Sequence, residues 1–162
     1  MASVASAAGP ASAPYCGITW GSRDKTANPS TSPRLVNVRA GRHDCFDRLV
    51  LDVRGGNVTG YWVRYVATMT EDASGRVVPL RGGAKLSITA QAPAYDAAGR
   101  ATYRVANRAE LVNVAGFRTF RQVAWAGSFE GTTSVGLGVR ARLPFRVFTL
   151  PGRLVVDVAH LW

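Results

Sequence analysis

Cysteine and histidine are scarce, since this chain of 162 residues contains two of each. The cysteines, Cys16 and Cys45, form no Cys-x-x-Cys motif, so neither a zinc ribbon nor a redox dithiol is supported. The histidines are His43 and His160. With Cys45 and Asp157 they could form a metal site or a Cys–His nucleophile pair, but such catalysis needs a free thiol and a third group that orients the base. We therefore predict no metal site, no cofactor and no catalytic residue.

Acidic residues are also few, 10 against 20 lysines and arginines. They include no close pair in an obvious loop, so the acid–base chemistry of a glycosidase is not supported. The segment Gly136-Leu137-Gly138 lies inside an alternating pattern and not between a strand and a helix, so it does not match a phosphate-binding loop. A non-catalytic protein is the better supported class.

Lysine is nearly absent, because Lys25 and Lys85 are the only two and all other basic residues are arginines. The planar guanidinium of arginine binds carboxylates and phosphates through two parallel hydrogen bonds, a geometry that lysine does not offer. A codon bias toward arginine would produce the same composition. The net charge of +10 nevertheless favours anionic partners, namely nucleic acid, wall polymers or anionic lipid surfaces.

Long apolar runs are missing, and none approaches the roughly 18 residues that a membrane-spanning helix needs. Residues 1–14 are almost entirely Ala, Ser, Gly and Pro, a composition typical of a flexible leader. They lack the basic start and the leucine-rich centre of a signal peptide. We expect a flexible leader over residues 1–14 and one domain over residues 15–162. The expected location is secreted or in the cell envelope, with the signal sequence absent from this chain.

Period-two alternation of apolar and polar residues dominates the rest of the chain, as expected of half-buried strands. About ten short strands are predicted, over residues 34–39, 46–53, 61–66, 85–90, 101–105, 110–114, 118–125, 134–143, 145–150 and 153–158. Frequent Gly and Pro turns between them indicate an all-β sandwich or barrel with little or no helix. The turn signal Gly55-Gly56-Asn57 further predicts a hairpin between residues 49–53 and 61–66.

A weak internal repeat relates two of these strands. Arg48-Leu49-Val50-Leu51-Asp52-Val53 recurs as Arg153-Leu154-Val155-Val156-Asp157-Val158. An antiparallel pairing of the two would bring Arg opposite Asp twice, whereas a parallel pairing would bring like charges together. Alternatively, the two strands occupy equivalent positions in opposite sheets, with their leucine faces meeting across the core. We favour this second arrangement.

The chain resembles the AMIN-like domains of bacterial envelope proteins, especially an actinobacterial secreted branch. The resemblance rests on Tyr15-Cys16-Gly17-Ile18-Thr19-Trp20-Gly21-Ser22, on residues 43–52 (His-Asp-Cys-Phe-Asp-Arg-Leu-Val-Leu-Asp), on residues 119–131 and on residues 153–160. It implies a two-sheet β-sandwich with approximate internal symmetry. It also implies a non-catalytic role in attachment to peptidoglycan. Because a secreted domain keeps its disulfides, we expect Cys16 and Cys45 to form one.

The predicted binding surface consists of five residues: Arg140, Arg142, Trp125, Gly136 and Gly138. Alternation places the two glycines on the same face as the two arginines, where they would leave an open floor beside two guanidiniums. Carboxylates of a sugar–peptide polymer suit arginine, and sugar rings suit an aromatic side chain. The alternative is that neighbouring aromatic side chains cover the glycines and tighten the sheet.

Three functions follow from these features. The favoured one is an extracytoplasmic binding domain for peptidoglycan or another anionic envelope polymer, acting in localisation or assembly. The second is binding of single-stranded nucleic acid, suggested by the charge and by Phe145-Arg146-Val147-Phe148, although the expected disulfide makes nucleic acid the less supported partner. The third is a protein–protein interaction module that contacts other envelope proteins.

Overall fold

The computed structural model describes residues 13–162. Most of the leader predicted over residues 1–14 therefore lies outside the described residues. The described part contains a 3-10 helix, Tyr15–Gly17, and nine β-strands. The strands are β1 (Lys25–Ala27), β2 (Arg34–Arg42), β3 (Phe46–Arg54), β4 (Tyr61–Val66), β5 (Ala84–Ala90), β6 (Phe120–Phe129), β7 (Thr132–Val139), β8 (Phe145–Leu150) and β9 (Arg153–Ala159).

The strands form two antiparallel sheets, which confirms the predicted all-β class and sandwich. The five-stranded sheet has the order β1-β4-β5-β7-β6, and the four-stranded sheet has the order β2-β3-β9-β8. Apolar side chains from the inward faces of both sheets pack into one core, whose fully buried members include Leu35, Leu49, Leu51, Leu86, Ile88, Leu137, Phe145, Leu154 and Val156. The outward faces carry the other half of each alternation, which includes the polar side chains, so candidate binding groups lie there.

Two predicted strands are not formed. Residues 101–105 and 110–114 are irregular, apart from an isolated bridge between Tyr95 and Ala101. The apolar side chains of this segment gave it a strand-like pattern. Four of them are only partly buried and pack against the core without belonging to either sheet: Tyr103, Val105, Leu111 and Val112. Burial of apolar residues does not by itself require a ladder of backbone hydrogen bonds.

The hairpin predicted at Gly55-Gly56-Asn57 is also wrong. Strand β3 belongs to the four-stranded sheet and β4 to the five-stranded sheet, so the turn belongs to a connection between the sheets. The Asn57 side chain fixes this connection to the turn between β8 and β9, because its Oδ1 accepts a hydrogen bond of 2.9 Å from the Gly152 backbone N–H. Both glycines have positive φ, which explains why they are glycines without implying a hairpin.

The two repeated strands, β3 and β9, are antiparallel neighbours in one sheet. Val50 lies opposite Val155, and Arg48 lies opposite Asp157. The favoured placement in opposite sheets is therefore wrong, and the charge-paired alternative is confirmed. Opposite charges across a strand pair attract, whereas the same repeat in parallel register would place like charges side by side.

The predicted disulfide is confirmed: Cys16 is bonded to Cys45. It fastens the N-terminal segment to the chain just before β3. The end of β9 is fixed at the same place, because the His160 backbone N–H donates to the Cys45 carbonyl at 3.0 Å. The His160 ring is buried and lies 2.7 Å from Thr119 Oγ1 and 2.8 Å from the His43 carbonyl oxygen. This histidine therefore has a structural role that joins three segments.

The segment between β4 and β5 folds back over the outer face of β7, and two glycines in β7 make room for it. A Cβ atom added to Gly136 would lie 2.9 Å from Leu80 Cδ1 and 3.0 Å from Met69 Cγ. At Gly138 the added atom would collide with the carbonyl oxygen of Arg81. Neither glycine has positive φ, so their role is close approach and not an unusual backbone conformation.

We expect Gly138→Ala to lower the free energy of unfolding by about 1–3 kcal/mol, because the rigid backbone at Arg81 must move away from the new methyl group. Gly136→Ala is the matched control. Its methyl group meets only side-chain atoms of Leu80 and Met69, which can change rotamer, so its effect should be smaller. Urea denaturation of both variants measures the difference. Equal stabilities of Gly138→Ala and the parent would contradict the close approach.

Candidate functional site

The candidate site is the outer face of the four-stranded sheet. Six residues define what we call the arginine–aromatic face: Trp20, Phe46, Arg48, Arg146, Phe148 and Asp157. Five of them alternate with core residues along β3, β8 and β9, so the strand period that buries the leucines turns these side chains outward. Trp20 comes from the N-terminal segment, which lies against the sheet next to the disulfide.

Asp157 is the anchor of this face. Its carboxylate is fully buried, and it accepts two hydrogen bonds from Arg48, from Nε at 2.7 Å and from Nη2 at 3.0 Å. Arg146 Nε donates a third at 2.8 Å. The two arginine side chains remain 25% and 38% exposed. The hydrogen bond to Asp157 raises the pKa of Arg48 above its usual value. One buried carboxylate therefore fixes two permanently charged guanidiniums at the surface.

Aromatic rings hold the same two guanidiniums from the sides. The guanidinium carbon of Arg146 lies 4.5 Å from the ring centroid of Trp20 and 5.0 Å from that of Phe148. The guanidinium carbon of Arg48 lies 5.4 Å from the ring centroid of Phe46 and 5.4 Å from that of Phe148. These distances are within the range of cation–π attraction. The rings therefore limit the motion of both side chains and place flat apolar surfaces next to the charges.

A depression of about 220 Å³ continues this face toward β2. Its floor is formed by Val50 and Val155, which point away from the core. Arg39 and Arg153 line its rim. Arg39 is paired with Asp52 at 2.8 Å, whereas Arg153 has no carboxylate within salt-bridge distance among residues 13–162. The arginine–aromatic face, the depression and the Asp52 partner of Arg39 together comprise four arginines against two aspartates, so this surface attracts anions.

The structure does not bring the five sequence-predicted site residues together. Trp125 is only 8% exposed, belongs to the core cluster and packs near Tyr103, with ring centroids 5.8 Å apart. Gly136 and Gly138 are buried beneath the segment between β4 and β5. The expectation of an open floor over the glycines is therefore wrong. The cover consists of aliphatic side chains and backbone, and not of the aromatic side chains considered as the alternative.

Arg140 and Arg142 lie beyond the end of β7 and serve different contacts. A guanidinium nitrogen of Arg140 donates to the His160 carbonyl oxygen, so this side chain helps to fix the end of β9. Arg142 is exposed and its guanidinium carbon lies 5.1 Å from the Tyr65 ring. Burial raises the pKa of Tyr65 to about 12, so the phenol is neutral at physiological pH. Of the predicted residues, Arg142 is the one best placed to meet a ligand.

The structure does not bring His43, His160, Cys45 and Asp157 together as a catalytic or metal-binding group. The Cys45 sulfur is bonded to Cys16 and is unavailable as a nucleophile. Asp157 is occupied by two arginines, and the His160 ring by the contacts described above. In the part of the chain that the structure describes, no group of three or more His, Cys, Asp and Glu side chains is arranged to hold a metal ion. These residues therefore stabilise the fold.

A family comparison places this arrangement in context. The model of the AMIN-like domain family matches residues 33–160. The chain belongs to the AMIN-like domain family. No match was found among curated proteins, and none among solved structures. AMIN-like domains are extracytoplasmic, envelope-associated domains of the non-catalytic binding type, and the disulfide of this one fits an oxidising compartment. Within residues 13–162, no helix is long and apolar enough to cross a membrane.

The AMIN-like match and the arginine–aromatic face overlap only in part. Residues 33–160 include both arginines and Asp157, but they exclude Trp20 and Cys16. Residues before the matched region therefore add one aromatic wall and the disulfide that holds it in place. Sequence reasoning missed this face, although it noted both signals that belong to it: the repeated Arg…Asp strands and the alternating Phe145-Arg146-Val147-Phe148.

Proposed function

We propose that the arginine–aromatic face binds peptidoglycan or another anionic polymer of the cell envelope. The observation that carries this proposal is the fixed position of Arg48 and Arg146 on the buried carboxylate of Asp157. Arg146 uses only Nε in that contact, so within residues 13–162 its two terminal nitrogens have no protein acceptor. Their N–H groups can donate to a carboxylate or phosphate of the polymer.

Preorganisation makes this face suitable for binding. A flexible arginine loses side-chain entropy when it captures an anion, but here the carboxylate and the rings have already restricted both side chains. The rings of Trp20, Phe46 and Phe148 also offer apolar surface to the sugars of a polymer whose anionic groups the guanidiniums already hold. Arg39 and Arg153 extend the positive charge along the depression, which suits a ligand longer than one repeating unit.

We expect Arg146→Ala to weaken binding to purified insoluble cell wall about tenfold, because it removes charge-assisted hydrogen bonds worth roughly 1.5–3 kcal/mol each. Folding should be little affected, since Arg48 still neutralises Asp157. The matched control is Arg104→Ala, which makes the same charge change at an exposed position away from the face. Sedimentation with the wall fraction at two salt concentrations gives the affinities.

Three results of that assay would contradict the proposed site. One is an equal loss of binding for Arg104→Ala and Arg146→Ala, which would indicate attraction to net charge alone. Another is a loss confined to the double variant Arg140→Ala/Arg142→Ala, which would return the site to the end of β7. Binding that is unaffected by any of these changes would remove the arginines from the interaction.

Single-stranded nucleic acid is the second candidate ligand for the same face. Arg146 and Phe148 point outward from β8 beside Trp20, an arrangement on which bases can stack. The disulfide and the family both favour an extracytoplasmic partner instead. Titration of a labelled single-stranded oligonucleotide separates the two: tight binding with a steep salt dependence and no wall binding would favour nucleic acid. If neither ligand binds, interaction with another envelope protein becomes the leading candidate.

A further inference from the structure

A polar groove of about 380 Å³ crosses the outer face of the five-stranded sheet, on the opposite side of the sandwich from the arginine–aromatic face. Strands β1, β4 and β5 form its floor, and the segment after β4 forms one wall with Thr68, Thr70 and Asp72. Ligand pockets in proteins span roughly 300–1,000 Å³, so the groove is large enough for a small ligand.

The strand register arranges one row of side chains across this floor. Thr26 is paired with Trp62, Trp62 with Thr89, and Thr89 with Ser134. Residues paired across neighbouring strands point to the same side of the sheet, so an indole ring lies between two threonine hydroxyls. The next row contains Arg64 opposite Ser87. An aromatic platform is therefore surrounded by short hydroxyl groups.

A chain of hydrogen bonds fixes the direction of one of these hydroxyls. Ser134 Oγ donates to Asp72 Oδ2 at 2.6 Å, because a carboxylate can only accept. Thr89 Oγ1 lies 2.8 Å from Ser134 Oγ and must therefore be the donor in that contact. Thr89 lines the groove, and its hydroxyl oxygen keeps its capacity to accept a hydrogen bond. The second oxygen of Asp72 is an acceptor as well.

Much of the hydrogen-bonding capacity of the groove is unused by the protein. In the described part of the chain, the side chains of Thr26, Trp62, Arg64 and Ser87 have no hydrogen-bond partner in the fold. The lining carries Asp24 and Asp72 against Arg64. The groove is thus slightly acidic in a chain of net charge +10, so it does not suit an anionic ligand.

We propose that this groove binds a neutral sugar ring. The apolar face of a sugar can pack on the Trp62 indole, whose flat surface is partly exposed. Its hydroxyl groups can donate to Asp24, Asp72 and Thr89 and can accept from Ser87 and Arg64. The proposal does not depend on the function assigned to the other face. It gives the domain a second ligand class that is recognised without net charge.

The test uses two neutral probes, the β-1,4-linked tetramers of N-acetylglucosamine and of glucose. The chain contains four tryptophans, so two-dimensional NMR of the indole N–H groups reports which ring a probe approaches. We expect at least one probe to shift the Trp62 signal and leave the Trp20 signal in place. The affinity should not change between low and high salt, in contrast to binding at the arginine–aromatic face.

Variants on each face separate this inference from the proposed function. Trp62→Ala and Asp72→Asn should each weaken probe binding at least fivefold, whereas Trp20→Ala should leave it unchanged. Asp72 is exposed, so its variant tests the groove even if Trp62→Ala fails to fold. Absence of binding by both tetramers, or binding that both groove variants retain, would overturn the inference. Loss of wall binding in Arg146→Ala bears only on the other face.

Discussion

Reduction of the Cys16–Cys45 disulfide is expected to lower the free energy of unfolding by about 3–4 kcal/mol. The two cysteines are separated by 29 positions, so the bond closes a loop of moderate length in the unfolded chain. Opening that loop restores conformational entropy to the unfolded state. Apart from the disulfide, few contacts hold the N-terminal segment to the sheets: the three-residue strand β1, the Trp20 ring and a hydrogen bond of 2.9 Å from the Phe145 N–H to the Gly21 carbonyl oxygen.

Thermal or urea unfolding with and without reductant measures this effect. The double variant Cys16→Ser/Cys45→Ser is the control, since it should already have the lower stability and should not respond to reductant. Alkylation of the folded, unreduced protein should leave its mass unchanged. A parent protein whose unfolding midpoint is the same in reductant would contradict the estimate.

Reduction should also weaken wall binding, through a different route. Trp20 lies only four residues after Cys16 and contributes one of the three rings around the guanidiniums. Its ring meets Phe46 edge-on at a centroid distance of 5.7 Å, so some order remains without the bond. The expected loss of affinity is therefore smaller than that of Arg146→Ala. Trp20→Ala in the unreduced protein should reproduce it.

The parts of the fold that could be predicted from sequence are those fixed by alternation. A strand with Leu49, Leu51 and Val53 on one side can bury only that side, whichever strands lie next to it. Strand spans and the all-β class follow from such patterns. Charge adds a constraint on neighbours: the repeat in β3 and β9 admits only antiparallel pairing if the strands touch. The sequence of neither strand shows whether β3 and β9 are neighbours in a sheet.

Pairing between distant segments is the part that could not be predicted. The turn at Gly55-Gly56 is compatible with a hairpin and with a connection between sheets, and the choice depends on partners far away in sequence. Likewise, nothing local to β7 shows that Leu80 and Arg81 will cover its glycines. Both errors concern contacts across many residues, for which the local sequence carries no signal.

The candidate site was missed for the same reason. Arg48 and Asp157 are separated by 109 positions, and only the strand pairing reveals that one buried carboxylate holds two arginines. The chemical types expected of the ligand site, guanidinium beside aromatic, also occur on the arginine–aromatic face. The predicted positions lie on β6, on β7 and just after β7, whereas the structure presents these types together on β3, β8 and the N-terminal segment.

Removing both arginines while keeping the carboxylate should be among the most damaging changes to this fold. In Arg48→Met/Arg146→Met the unbranched side chains keep much of the apolar bulk over Asp157, so its charge stays buried without a partner. An unpaired buried charge left by such a change costs about 3–5 kcal/mol. Each single variant should cost much less, because the other arginine still neutralises the carboxylate.

A third substitution then separates folding from binding. In Arg48→Met/Arg146→Met/Asp157→Val no charge remains to be desolvated, so most of the lost stability should return. Wall binding should stay lost, since the triple variant has neither guanidinium. Urea denaturation of the parent, the double variant and the triple variant measures the change in stability. Wall sedimentation of the same three proteins measures the change in binding. A triple variant no more stable than the double would show that Asp157 needs no counter-charge. A triple variant that still binds wall would show that Asp157 and its two arginines serve the fold alone.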